Sequence, residues 1–291
     1  MTLQEYAPAK INLALHVTGQ RADGYHLLDT LVTFADAGDR LTFSEAAHDA
    51  FSVSGRFSEG LPTDASAGTG NLVLRARDLL RAHAETRGMP APPVHIYLEK
   101  NLPIASGIGG GSADAAATLR GLMRLWNLLV EPGALQQIAL ALGADVPMCL
   151  ASRPLVARGI GDELRLLMDF PKLHLLLVNP MVEVSTPAIF KRLTDKNNPP
   201  LALPDDGAAE AEWIAALQGA RNDLQPPAEG LAPEITEALA LLGTTDPLLA
   251  RMSGSGATCF GLYRSAAHCA DAQSQLEARH PEWYVETTQT A

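Results

Sequence analysis

Lys10, Asp145 and the glycine-rich run from Gly107 to Gly111 are the residues of this chain whose types point most directly to chemistry. An ammonium group, a carboxylate and a stretch of bare backbone amides are the parts that phosphoryl transfer draws from a protein, because positioning and charge stabilisation carry most of its rate. The run reads PIASGIGGGSADAAATL from Pro103 to Leu119, with Gly107, Gly109, Gly110 and Gly111 directly before a helical pattern. Unpaired N–H groups at a helix start carry about half a positive charge and favour anions, so the run is a candidate phosphate cradle. No lysine follows the glycines, which excludes a Walker A loop, and Ser112 stands where the dinucleotide fingerprint needs glycine. The same residues would also serve a plain turn with Ser112 as N-cap.

Lys10 and Asp145 each have an ordinary structural reading. Lys10 would sit on the solvated face of an edge strand, and Asp145, just before Val146 and Pro147, would cap a short helix. Their functional reading depends on their acting together: an ion pair would keep the carboxylate charged and ready to accept or orient the proton of an attacking alcohol. Gly254 and Gly256, in MSGSGATCF at Met252–Phe260, would let a tight turn approach a ligand or would simply close a hairpin. Tyr25 and His26 offer an aromatic face and a polar edge suited to a nucleobase, and equally a structural pair.

The elements that must position these groups are legible from periodicity. Ala9, Ile11, Leu13, Leu15 and Val17 alternate with Lys10, Asn12, Ala14 and His16, a half-buried strand with Lys10, Asn12 and His16 on one face. Asn71–Thr86 has helical spacing, and Val94, Ile96 and Leu98 form a strand. That strand feeds the glycine loop, after which Ser112 is expected to open a helix burying Ala115, Leu119, Leu122 and Trp126. Ser112 is also a candidate phosphate or metal contact, and Asp114 is expected to complement the helix start. A helix over Leu135–Leu142 is stopped by Gly143.

A domain boundary is expected near Glu163, giving domains 1–163 and 164–291. The second half is predicted as strand Leu173–Val178, helices Pro187–Leu193 and Leu231–Leu242, strands Leu249–Met252 and Thr258–Tyr263, helix Ala266–Arg279 and strand Trp283–Thr287. Without the extra helix this is βαββαβ, the ferredoxin-like split arrangement. The polar, proline-rich stretch Asp195–Gly207 reads as an inserted loop.

The chain has 291 residues, of which 47% are hydrophobic and 19% charged, the balance of a chain that is globular throughout rather than disordered. A net charge of −11 excludes a general nucleic-acid or anionic-membrane surface and requires any site for phosphorylated ligands to concentrate positive charge locally. Cys149, Cys259 and Cys269 form no C-x-x-C pair, which disfavours disulfides and structural zinc and fits a reducing, cytoplasmic compartment. No apolar run approaches the ~20 residues of a membrane span.

Taken together, APAKINLALHV at Ala7–Val17, PIASGIGGGSADAA at Pro103–Ala116 and MSGSGATCF at Met252–Phe260 resemble the three ordered motifs of the GHMP kinases. ADGYH at Ala22–His26 and GADVP at Gly143–Pro147 are similar to the branch that acts on a cytidine-diphosphate-linked methylerythritol. The resemblance implies a two-domain α+β fold, with an N-terminal ribosomal-protein-S5-like domain, a C-terminal ferredoxin-like domain and the active site in the cleft. It implies ATP-dependent phosphorylation of the substrate's 2-hydroxyl on the non-mevalonate route to isoprenoid precursors, with Mg2+ bridging the ATP phosphates. By motif position Lys10 and Asp145 fall on the catalytic pair. Pro103, Ile104, Ala105, Ser106, Gly107, Ile108, Gly109, Gly110, Gly111, Ser112 and Ala113 fall on the ATP-phosphate loop. Asn12, Tyr25 and His26 fall on substrate contacts, the last two around the cytosine, and Phe190 in STPAIF is assigned the other stacking face. The alternatives are a homoserine- or mevalonate-type kinase and a nucleotide-binding regulator that has lost catalysis.

Overall fold

The alternation around Lys10 extends well beyond the motif: strand β1 runs Thr2–Gln20, and after the turn bearing Tyr25 it pairs with strand β2, His26–Glu45. The protein is described by a computed structural model for residues 2–61, 70–104 and 106–290, so Ala105 lies outside the described residues. From Ala7 to Val17 every residue of β1 is buried. The two periods therefore divide an apolar face from a buried polar one, and Lys10, with 4% of its surface exposed, is not on a solvated edge.

The chain forms two compact units that share these long strands. One holds Met1–Ala9, Gly38–Ile104 and Gly109–Ser152; the other holds Lys10–Ala37, the short segment ending at Ile108, and the chain from Arg153 onward.

In the first unit Arg40–Glu45 of β2 pairs antiparallel with strand β4, Val94–Glu99, and strand β3, Ala50–Ser54, pairs parallel with β4. Helix α1, Leu72–Glu85, is capped by Asn71, whose Oδ1 accepts the Val73 N–H at 2.9 Å. Helices α2 (Gly110–Leu125), α3 (Pro132–Leu142) and α4 (Val146–Ala151) complete the unit. Ala115, Leu119, Leu122 and Trp126 are buried as expected. A Cβ at Gly121 would overlap the Phe43 ring, so α2 lies directly on the sheet and the helix tolerates a glycine that costs about 1 kcal/mol in propensity. The helix begins at Gly110 rather than Ser112, with left-handed Gly109 (φ 66°) as its N-cap residue.

In the second unit Leu28–Val32 of β2 pairs antiparallel with strand β5, Leu155–Gly159, which pairs with strand β6, Glu163–Leu166. Strand β7 is His174–Asn179 and helix α5 is Thr186–Arg192. Two helices that the periodicity does not reveal follow: α6, Glu210–Gly219, and α7, Gln225–Glu229. Then come helix α8 (Pro233–Gly243), strands β8 (Leu249–Met252) and β9 (Cys259–Tyr263), helix α9 (Ala266–Arg279) and strand β10 (Tyr284–Gln289). The antiparallel sheet has the order β10-β7-β9-β8, the ferredoxin-like order. Helices α8 and α9 pack on it and on each other, burying Leu176, Val178, Ile235, Leu242, Met252 and Leu276 in one cluster that also takes Leu15 and Val17 of β1. Among the described residues no helix is long and apolar enough to cross a membrane.

Candidate active site

Three segments far apart in sequence meet in the second unit. The Lys10 N–H donates to Ile108 O at 2.9 Å, tying β1 to the glycine loop, and the Asn12 N–H donates to Ser253 Oγ at 3.0 Å, tying it to the second glycine turn. The loop and turn also bond each other: Ser106 O accepts the Thr258 N–H at 3.1 Å and the Thr258 hydroxyl at 2.6 Å. Gly107 and Gly256, at φ 75° and 83°, are in such close approach that a Cβ on Gly107 would come within 2.8 Å of the Gly256 carbonyl carbon and nitrogen. A Cβ on Gly254 would stand 2.9 Å from Gly107 O and 3.1 Å from Asn12 Oδ1. The glycines here are required by backbone-to-backbone packing as well as by conformation.

Asn12 is oriented from the other side. Its Nδ2 donates to Thr30 Oγ1 at 2.8 Å, and that hydroxyl donates to Ala14 O at 2.7 Å. The amide oxygen is thereby turned away, and Asn12 Oδ1 is a buried acceptor with no partner among the described residues. A buried polar atom without a partner costs free energy, about 1–3 kcal/mol, which a ligand donor would recover.

Gly109 to Ala113 and Asp145 belong to the first unit. Pro103 is buried there and Ile104 is exposed; Ser106 and Ile108 are buried, Gly107 and Gly109 half-buried, Gly111 exposed and Ser112 half-buried. Asp145 occupies the N-cap position of α4, but its side chain makes no bond to that helix end, so capping does not account for the residue. It is half-buried.

The periodicity gave no sign of the charge cluster beneath the start of α2. Lys100 Nζ donates to Asp39 Oδ2 at 2.5 Å and to Asp114 Oδ2 at 2.6 Å, all three side chains being essentially buried. Asp39 Oδ1 also accepts the Asn101 and Leu102 N–H groups at 2.6 and 2.8 Å. A Cβ on Gly110 would lie 3.1 Å from Lys100 Nζ, so the ammonium sits directly under the first turn of α2. Asp114 therefore does not complement the helix start from its surface; it ties α2 to the end of β4. Burial pulls the Lys100 pKa down, but the two carboxylates outweigh it and the net shift is upward. Burial pushes Asp114 up to about 8, with Asp39 adding to the rise and Lys100 opposing it. Two carboxylates share one ammonium, and burial favours the protonated form of Asp114.

The remaining expected ligand contacts are near the β1–β2 turn. His26 and Phe190 stack with centroids 4.7 Å apart at 24°, while the Tyr25 side chain projects outward, 63% exposed. His26 Nε2 is buried and unpartnered among the described residues. Burial, and then the Lys196 charge, hold the imidazole below its ordinary range, so it is neutral at pH 7.

The family model described as GHMP kinases N terminal domain matches residues 71–153, and that described as GHMP kinases C terminal matches residues 208–282. The 4-diphosphocytidyl-2-C-methyl-D-erythritol kinase of Rhizobium leguminosarum bv. trifolii (strain WSM2304) is 60% identical over 286 residues, covering 98% of this chain and 94% of that protein. The protein of the same name from Agrobacterium fabrum is 57% identical over 287 residues, covering 98% and 95%. A crystal structure of a 4-(cytidine 5'-diphospho)-2C-methyl-D-erythritol kinase matches with a TM-score of 0.79 at 32% identity, over 99% of this chain and 100% of that one. Homoserine kinase from Cytophaga hutchinsonii, at 19% identity and a TM-score of 0.70 over 100% and 94% of the two chains, shares the fold.

Proposed function

We propose a division of labour for the site of this chain, which belongs to the GHMP kinase family and within it to the 4-diphosphocytidyl-2-C-methyl-D-erythritol kinases. The chain is a small-molecule kinase that takes its phosphoryl group from ATP. Its acceptor is the 2-hydroxyl of 4-(cytidine 5'-diphospho)-2-C-methyl-D-erythritol, a step toward isoprenoid precursors.

On this reading Asp145 accepts or orients the proton of the attacking hydroxyl, and Lys10 stabilises the charge of the transferring phosphoryl group. The loop from Pro103 to Ala113 cradles the ATP phosphates, with Gly107 packing its backbone on Gly256. Mg2+ would supply neutralisation of the phosphate charge, and the Ser112 hydroxyl is the chain's candidate group to hold it. Asn12 meets the substrate with its unpartnered oxygen, and His26 meets the cytosine edge with its unpartnered nitrogen. Tyr25 and Phe190 supply aromatic faces. Residues 1–163 make the ATP-binding domain of this scheme and residues 164–291 its C-terminal domain. A cytoplasmic location is consistent with three buried cysteines that form no C-x-x-C pair.

The observation that carries the reading is the convergence of the Lys10 strand, the glycine loop and the Gly254–Gly256 turn through direct backbone bonds. The test is transfer of labelled phosphate from ATP to the cytidine-linked acceptor. Asp145→Asn is expected to fold and bind nucleotide but to lose at least about a hundredfold in turnover; a variant of wild-type rate ends the assignment. Tyr25→Ala is expected to weaken the cytidine substrate about tenfold or more without weakening ATP.

A further inference from the structure

The stretch that reads as an inserted loop is a strap fastened to β1 at three points. Asn198 donates from both its N–H and its Nδ2 to Val17 O, at 3.1 and 3.2 Å. Pro199 O and the ring of His16 are 2.8 Å apart, while the Arg221 N–H donates to His16 Nε2 at 3.2 Å. Since Nε2 accepts, Nδ1 carries the hydrogen and donates it to Pro199 O, and burial holds this imidazole below its ordinary range and so neutral. The Leu201 N–H closes the strap on Asp29 Oδ2 at 3.1 Å.

One end of the strap reaches the turn that bears Tyr25 and His26. Lys196 Nζ donates to Gln20 Oε1 at 3.0 Å, and Gln20 Nε2 donates to Gly24 O at 2.9 Å. Gly24 is left-handed at φ 92° and its N–H returns to Arg21 O at 3.0 Å, so its carbonyl direction sets the orientation of the peptide that leads into Tyr25. The relay thus acts on the one exposed aromatic of the proposed nucleobase site and on the residue beside it.

We propose that Lys196 and Gln20 are positioning residues for the nucleobase end of the substrate: the strap delivers Lys196, Lys196 holds the Gln20 amide, and that amide fixes the Gly24 carbonyl and with it the presentation of Tyr25 and His26. The inference rests on the assignment of Tyr25 and His26 to the cytosine. It explains why a polar, proline-rich segment is bonded to β1 at residues 16, 17 and 20. It also places a cation close enough to His26 to be felt by its ring, in a chain whose net charge of −11 would otherwise repel a diphosphate.

The experiment measures KM for the cytidine-linked substrate, KM for ATP and kcat in wild type, Gln20→Ala, Lys196→Ala, the double variant and Lys196→Arg. Each alanine variant is expected to raise KM for the cytidine substrate about threefold to tenfold, the span of one lost hydrogen bond, with kcat and the ATP value moving less than about twofold. Because the two residues act in series, the double variant should match the worse single one rather than their product. Lys196→Arg, which keeps the donor, should restore the wild-type value. Wild-type KM in both single variants, multiplicative effects in the double variant, or parallel losses in kcat and in both KM values would overturn the proposal. Failure of the wild-type protein itself to use the cytidine substrate would instead remove the substrate assignment, and this inference with it.

Discussion

Replacing Asp114 by asparagine turns the buried cluster under α2 into a measurement. In the folded protein Asp114 holds its proton up to about 8, whereas in the unfolded chain its carboxyl titrates near 3.8. Between those values folding takes up a proton, so this contribution to stability is complete below the ordinary carboxylate range and is lost as pH rises toward 8 and beyond. Lys100 stays charged across that window, because its pKa is shifted upward from an already high value. With each pH unit equal to ~1.4 kcal/mol per proton, wild type is expected to lose roughly 2 kcal/mol between about pH 6 and about pH 8 through this group alone. An asparagine has no proton to give up but can still accept from Lys100, so the variant should lack this slope. Histidines such as His16 and His26, whose pKa values are lowered, contribute in the opposite direction, but equally in both proteins, and cancel in the difference. Urea midpoints at stepped pH for wild type and Asp114→Asn are the assay. Parallel curves for the two proteins would refute the raised Asp114 pKa. A complementary change, Lys100→Met, leaves two carboxylates buried without their cation and should cost about 3–5 kcal/mol at neutral pH.

Gly107→Ala places a Cβ on the backbone of Gly256 at a left-handed position, so a thermal midpoint lowered by several degrees and weakened ATP binding are expected together; a variant with both unchanged would contradict the packing. Arg251, buried, donates to Leu13 O, Leu217 O and Ala220 O at 2.7, 2.8 and 2.6 Å, and Arg251→Met should destabilise by about 2–4 kcal/mol in urea unfolding by orphaning those carbonyls. Because the His26 pKa lies below its ordinary 6.5, KM for the cytidine substrate should be flat above that pH and rise only in more acid solution, whereas a rise beginning in the alkaline range would exclude a neutral-imidazole contact.

Much of this architecture is written in local pattern. The α9 boundaries, Ala266–Arg279, are those expected from the sequence, with the Ser265 hydroxyl accepting the His268 N–H at 3.2 Å, and the βαββαβ order leads directly to the ferredoxin-like sheet. The pattern is silent where a feature is decided by distant partners. Alternation along β1 identifies two faces but not whether the polar one is wet, and it is the surrounding chain that buries Lys10, Asn12 and His16. The start of α2 at Gly110 runs against glycine's poor helix propensity, because Lys100 lies where a side chain would go. Asp39, Lys100 and Asp114 carry no shared local signal, since only the fold brings them together. Helix α6 escapes because EAEWIAALQG is apolar or small on nearly all sides; Glu212, whose carboxylate accepts the Ala209 N–H at 3.2 Å, is the capping clue it does offer.

The bonds that secure the first motif come late in the chain. Leu15 exchanges backbone hydrogen bonds with Arg221 and Asp223, Asn12 leans on Ser253, and Ala35 bridges to Thr290. On a translating ribosome the strand bearing Lys10 is therefore made long before the downstream segments that lock it. Long loop closures of this kind slow folding, and an incomplete nascent chain holds the pieces of a kinase without the ability to act as one.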